Sequence, residues 1–282
     1  MHIRKAVITA AGSNQARLPL QRFVDVDGNE KTALQIILEE VLAAGIDAVC
    51  LVVRPDAEAA YREAAGELAR SLIFVEQPAP RGYGDALHRA ARFVADESFL
   101  HLVSDHLYIS RQSKRCAVQL VEAARAEACA VSAVQPTHES MLKYYGAVGG
   151  EPVAGRPGLY RVECVLEKPT PTRAETQLVV PGLRTGHYLC LFGMHVLTPG
   201  VMDLLGRAVA DASSADGAEP VMLSPALDQL ARRERYLAME LSGSRYNIGV
   251  KYGMLTAQLA LALSGSDREE TLARLVELVA AR

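Results

Sequence analysis

At 282 residues, 50% of them hydrophobic and 22% charged, the chain can bury a large α/β core, which excludes wholesale disorder. Its net charge of −3, without a basic block, excludes non-specific nucleic-acid binding but leaves room for a small anion held by a few cations. The nearest approach to a membrane span, Leu255–Leu263, is too short, so no membrane association is expected.

Lys5–Ala10 reads as a first strand, entered directly from Met1 with no leader-like apolar stretch. Thr32–Ala44 follows as a helix, with Leu34, Ile37, Leu38, Val41 and Leu42 on one face and Gly45 as its stop. The alternation continues through Ala48–Val53 (strand), Ala57–Arg70 (helix), Leu72–Val75 (strand) and Asp85–Val94 (helix). Phe99–Val103 (strand), Lys114–Glu127 (helix) and Ala128–Val134 (strand) complete it. Near-continuous apolar strands separated by helices predict a mixed, mostly parallel sheet with helices on both faces.

After Gln135-Pro136 the order changes. Tyr145–Val148, Tyr160–Leu166 and Tyr188–Leu197 read as strands, and Asp211–Glu219 as a polar surface loop. Helices return at Pro199–Ala208, Pro225–Arg233, Tyr252–Leu263 and Glu269–Ala281, the last preceded by a Ser266/Glu269 capping box. No repeat or linker divides the chain, so residues 1–282 read as one domain with a C-terminal elaboration. The cysteines, Cys50, Cys116, Cys129, Cys164 and Cys190, are widely spaced and lack any C-x-x-C, as reduced core thiols of a cytoplasmic protein would be.

Four stretches carry chemistry-bearing residues. The first strand ends in Ala10-Ala11-Gly12, where glycine lets backbone approach a ligand, and Arg17 and Arg22 follow within reach of phosphates. The loop does without the further glycines of a phosphate turn, and a plain structural turn is the alternative. In Glu76–Ala86, Gln77 has both a donor and an acceptor for a nucleobase edge, and Gly82 and Gly84 permit close approach. The alternative there is a Pro/Gly loop with Asp85 as a helix N-cap. The Phe99–Val103 strand exits at Ser104-Asp105-His106, placing a carboxylate suited to Mg²⁺ at the sheet edge, with His106 read as a loop histidine. Glu167-Lys168-Pro169 puts an acid and a base at the end of a strand, and both can serve one ligand only if the strand stops there.

In this order the stretches resemble the sugar-phosphate nucleotidyltransferase family, most closely the bacterial UTP–glucose-1-phosphate uridylyltransferases, over about Lys5 to Leu263. The resemblance implies a three-layer, Rossmann-like fold with a nucleotide-binding half (about 5–135), a sugar-binding half (about 136–263) and a C-terminal helix (264–282). It implies nucleotide contacts from Ala11, Gly12, Gln77 and Gly82, and sugar-phosphate contacts from Gly146, Glu167 and Lys168. Mg²⁺ would be held by Asp105 and by Asn247, which stands where the family places a second aspartate. Catalytic charge would come from Arg17, Arg22, Asp105 and Lys168, joining UTP to glucose 1-phosphate and releasing pyrophosphate. Assembly into a homo-oligomer is compatible with this reading.

Two departures stand out. The family's start, A-G-x-G-T-R-x-x-P-x-T-K-x-x-P-K, is met by Ala11-Gly12-Ser13-Asn14-Gln15-Ala16-Arg17-Leu18-Pro19-Leu20-Gln21-Arg22, with Pro19 in register but Arg17 one place late. Asn247 replaces a carboxylate. A weakly active nucleotide-sugar-binding paralogue, or an enzyme for another base or sugar, is the competing expectation.

Overall fold

A computed structural model describes residues 1–12, 16–214 and 219–281. The expectations for Ser13–Gln15, for residues 215–218 of the polar loop and for Arg282 lie outside the described residues.

The core is a nine-stranded sheet with the order β5-β4-β1-β6-β11-β8-β12-β10-β9. Its strands are β1 (Ile3–Thr9), β4 (Ala48–Val53), β5 (Leu72–Glu76), β6 (Ser98–Val103), β8 (Ala130–His138), β9 (Ala147–Pro152), β10 (Leu159–Leu166), β11 (His187–Leu197) and β12 (Tyr236–Glu240). Among them only β10 and β11 run against the rest, so the sheet is mixed and mostly parallel. Alternate side chains feed two cores: Val49, Leu51 and Val53 of β4 face one side, Cys50 and Val52 the other. Helices α1 (Ala33–Ala43) and α5 (Cys116–Glu127) cover the first face; α3 (Tyr83–His88), α7 (Pro199–Ser214) and α8 (Leu223–Arg233) cover the second. The three-layer expectation holds.

Local chemistry explains the best-read elements. Thr32 caps α1 by accepting from the Gln35 N–H (3.1 Å), while the Gln35 side chain accepts from the Thr32 N–H (2.8 Å). Gly45, at φ +77°, ends the helix in a conformation that only glycine adopts cheaply. Leu34, Ile37, Leu38 and Val41 are buried as the periodicity requires.

Other readings need correction. Residues 57–70 divide into α2 (Glu58–Ala65) and a 3₁₀ turn (Gly66–Ser71), and α3 is separated from α4 (Ala91–Val94). Helix α7 runs through Ser214, into the segment read as loop. Two short ribbons were not expected: β2 (Arg22–Val24) with β3 (Glu30–Thr32), and β7 (His106–Ser110) with β13 (Gly243–Asn247). Strand β12 and helix α6 (Pro171–Gln177) were not expected either. The Ser266 capping box does not form: α10 (Arg268–Ala280), which follows α9 (Gly253–Ser264), is capped at Asp267 with no side-chain bond. The Ser266 N–H is instead spent on the Val26 carbonyl. The cysteines are all free, and Cys164 is only half-buried. No helix among the described residues is long and apolar enough to cross a membrane.

Candidate active site

Residues that follow β1, β5, β6 and β10 converge on a cleft of about 380 Å³. Strand ends are where an α/β sheet runs out of neighbours, so polar side chains there can face a ligand. Ala11, Gly12, Gln77, Gly82, Asp105, Gly146, Glu167, Lys168 and Asn247 all line it. Arg17 and Arg22 do not.

One wall is built from β1 and the loop before α3. The buried Tyr61 hydroxyl lies 3.2 Å from the Ala10 carbonyl and 2.7 Å from that of Ala16, gripping both sides of the first loop. Gln77 is buried, and its Nε2 donates to the Gly82 carbonyl (3.0 Å) and to Asp85 Oδ2 (2.7 Å). Asp85 is not an N-cap. Gly82 holds that position, and Asp85 lies fully buried inside α3, ion-paired with Arg89 at 2.8 Å. The glycines also serve a purpose other than the expected one. A Cβ on Gly82, whose φ is +109°, would stand 2.4 Å from the Val221 carbonyl oxygen, and one on Gly84 2.9 Å from that of Met222. The backbone approach they permit is therefore by the chain's own 221–222 segment.

The opposite wall is sparsely charged. Asp105 is buried beside His106, whose Nδ1 donates to its Oδ1 at 2.9 Å. Burial pushes the Asp105 carboxyl up, but the charge and hydrogen bond of His106, with Lys168 beyond, outweigh this and hold it below the usual value. His106 is not a loop residue; it opens β7, pairs across to Asn247 and keeps a buried Nε2 without a partner among the described residues. The Asn247 side-chain oxygen accepts from the Gly249 N–H (2.8 Å), so it fastens the chain beyond β13.

Strand β10 does end where Glu167-Lys168-Pro169 requires. Lys168 adopts φ +42°, a conformation costing a non-glycine residue on the order of 1–2 kcal/mol, and the reversal lets both neighbours line the cleft. Its ammonium lies 3.7 Å from Glu167 and is half exposed. Ser224 of α8 donates to the other Glu167 oxygen at 2.5 Å. Gly146 is needed here, because a Cβ would stand 2.9 Å from Ser224 Oγ and 3.4 Å from Glu167 Oε2.

The structure does not bring the two arginines to this site. Arg22, exposed on β2, is ion-paired with Glu30 and borders a separate depression with Lys31 and Gln35. Arg17 is exposed, and its carbonyl accepts from the Gln21 side chain (3.1 Å). Both lie exposed on the outer surface.

Sequence reasoning missed several participants. Tyr83 lines the cleft, and its hydroxyl donates to His101 Nε2 (2.6 Å), because His101 Nδ1 carries the proton given to the Val7 carbonyl (2.9 Å). Burial lowers the His101 pKa to about 4, consistent with this neutral ring. Arg245 lies buried under Tyr145, 4.0 Å from the ring centroid, and its Nε and Nη1 have no partner among the described residues. His101 occupies an apolar strand context, the one signal available in the sequence; Arg245, in Gly-Ser-Arg-Tyr-Asn, has none.

For a divalent cation, the cleft offers the Asp105 carboxylate and, across the β7–β13 pairing, the Asn247 amide oxygen; its other carboxylate, Glu167, is held by Ser224 and Lys168. Among the described residues no group of three or more His, Cys, Asp and Glu is placed to hold a metal. Such a donor set fits Mg²⁺ that arrives with substrate phosphates and keeps its waters, not a cation caged by protein.

A family model described as nucleotidyl transferase matches residues 18–241. The chain is 29% identical to UTP–glucose-1-phosphate uridylyltransferase 1 of Streptococcus pyogenes serotype M3, covering 96% of this chain and 92% of that protein. It is 27% identical to the UTP–glucose-1-phosphate uridylyltransferase of Streptococcus pneumoniae serotype 4, covering 96% and 94%. Among solved structures it resembles UDP-glucose pyrophosphorylase complexed with UDP-glucose (TM-score 0.73, 21% identity, 92% of this chain and 98% of that one). It also resembles a UTP-bound UGPase from Acinetobacter baumannii (TM-score 0.71, 21% identity, 98% and 99%).

Proposed function

The chain belongs to the nucleotidyl transferase family, and on that premise we propose that it joins a uridylyl group to a sugar 1-phosphate, most simply glucose 1-phosphate, with release of pyrophosphate. The observation that carries the reading is the meeting of Ala11-Gly12, Gln77, Asp105, Gly146 and Glu167-Lys168 in one cleft, although they are scattered along the sequence.

A sugar 1-phosphate oxygen attacks the α-phosphorus of UTP, and the bond to the pyrophosphate oxygen breaks. The protein's task is to align two polyanions and oppose their charge. In this reading Ala11-Gly12 take the nucleotide backbone against bare main chain, and Gln77 reads the uracil. Glu167, steadied by Ser224, accepts from sugar hydroxyls, while Lys168 holds the sugar phosphate. Asp105 and Asn247 would hold Mg²⁺, which supplies positive charge between the phosphates when bound. Arg22 has no part in this assignment, because it borders a separate depression and not the cleft. The continuous sheet supports one domain rather than two, and the free cysteines support a cytoplasmic setting.

A second reading, a nucleotide-sugar-binding paralogue with little turnover, is favoured by two observations: the arginines lie off the cleft, and an amide stands in place of a second carboxylate. Pyrophosphate release measured over a panel of nucleoside triphosphates and sugar 1-phosphates separates them. The proposal expects the highest kcat/KM with UTP and glucose 1-phosphate. UDP-glucose binding by calorimetry without pyrophosphate release from any pair would establish the second reading instead.

A further inference from the structure

We propose that Asp85 is a specificity-determining positioning residue: it fixes the orientation of the Gln77 amide so that the site accepts nucleobases bearing an imino N–H and rejects those with a bare ring nitrogen. This rests on the nucleotide reading of the cleft given above.

An amide side chain can present either end to a ligand, and its neighbours decide which. Both groups that hold Gln77 are obligate acceptors. The Gly82 carbonyl lies 3.0 Å away, and the Asp85 carboxylate, paired with Arg89, lies 2.7 Å away. The nitrogen must therefore face inward, and both of its N–H groups are spent there. Reversing the amide would set its oxygen against a fully buried carboxylate and a carbonyl, with no donor between them. What remains for the cleft, which Gln77 lines, is Oε1, an acceptor that takes no hydrogen bond from the described residues. Uracil answers it with N3–H. Cytosine has an unprotonated N3 at the same place, so two lone pairs would oppose each other. Asp85 does this without contacting the base.

Calorimetric binding of UTP, CTP and N3-methyl-UTP, each with Mg²⁺, tests the proposal without requiring turnover. Wild-type protein is expected to bind UTP at least about tenfold more tightly than either analogue, the scale of one hydrogen bond lost to an unpaired group. Asp85→Asn offers a donor as well as an acceptor, so Gln77 can turn over at the cost of its Gly82 bond, and the UTP-to-CTP preference should fall several-fold. Asp85→Ala removes one of the two acceptors and leaves the one-third-exposed Arg89 able to reach water, so the preference should fall by a smaller factor, the Gly82 carbonyl still holding one Nε2–H. Equal binding of UTP and CTP by wild type, or an unchanged preference in a folded Asp85 variant, would overturn the proposal while leaving the nucleotide site standing. Failure of all three nucleotides to bind wild type would overturn both.

Discussion

The two walls of the cleft are built on different principles. The wall proposed to face the base is internally braced: Gln77, Gly82, Asp85 and Arg89 form one hydrogen-bonded group, and Val221 seals the glycine loop from behind. The wall proposed to face the phosphates is poor in positive charge, with Asp105 as its buried carboxylate and Lys168 as a half-exposed cation. On the proposed function, recognition would fall to the preorganised wall and neutralisation largely to what the substrates bring with them. That division is costly for turnover and cheap for binding, since fixed charge placed before the reaction is what lowers a phosphoryl-transfer barrier.

The contrast breaks most visibly at Asp105. Asp105→Asn should lower turnover by about 100-fold or more, the scale of removing one charge-stabilising group, while circular dichroism shows the fold retained. Undiminished turnover at equal Mg²⁺ would mean that the wall's charge lies elsewhere. A smaller effect is expected at Lys168. Lys168→Met keeps most of the stem's packing and removes the charge, so kcat/KM for the sugar 1-phosphate should fall by about 10- to 100-fold, with the KM for UTP less affected. A change in unfolding temperature alone would reduce Lys168 to a structural residue. On the other wall, Gln77→Ala should raise the KM for UTP by about tenfold and leave that for the sugar phosphate nearly unchanged. An equal rise for both substrates would remove the distinction between the walls. The smallest effect is expected at Arg22, whose exposed pair with Glu30 is worth at most about 1 kcal/mol; Arg22→Ala should alter kcat/KM by less than about twofold. A large loss there would bring the first loop back into the site.

The sequence showed the sheet's apolar strands clearly, because strands buried on both faces leave long β-branched runs such as Ala48–Val53. Short ribbons were invisible to it. His106–Ser110 starts two residues after β6 ends, and its partner Gly243–Asn247 is more than 130 positions away, so no local pattern marks the pairing. The cleft residues that follow strand ends, Gly12, Gln77, Asp105 and Lys168, could be read from position alone. Asp85, Ser224 and Arg245 could not, because their roles depend on what folds against them: Gln77, Glu167 and Tyr145. Arg17 and Arg22 show a related limit of local pattern: residue type and spacing suggest a phosphate partner, while in the structure both are exposed and neither lines the cleft.

The charge-poor wall is tested most directly at Asn247, where one added carboxylate should change how the site draws its cation. Pyrophosphate release from UTP and glucose 1-phosphate should be followed across a Mg²⁺ titration for wild type and Asn247→Asp. Wild type is expected to turn over at raised Mg²⁺, and the substitution should lower the half-saturating Mg²⁺ concentration several-fold through short-range attraction. A half-saturating concentration unmoved by the substitution, or no pyrophosphate from either protein at any Mg²⁺ concentration, would contradict the account.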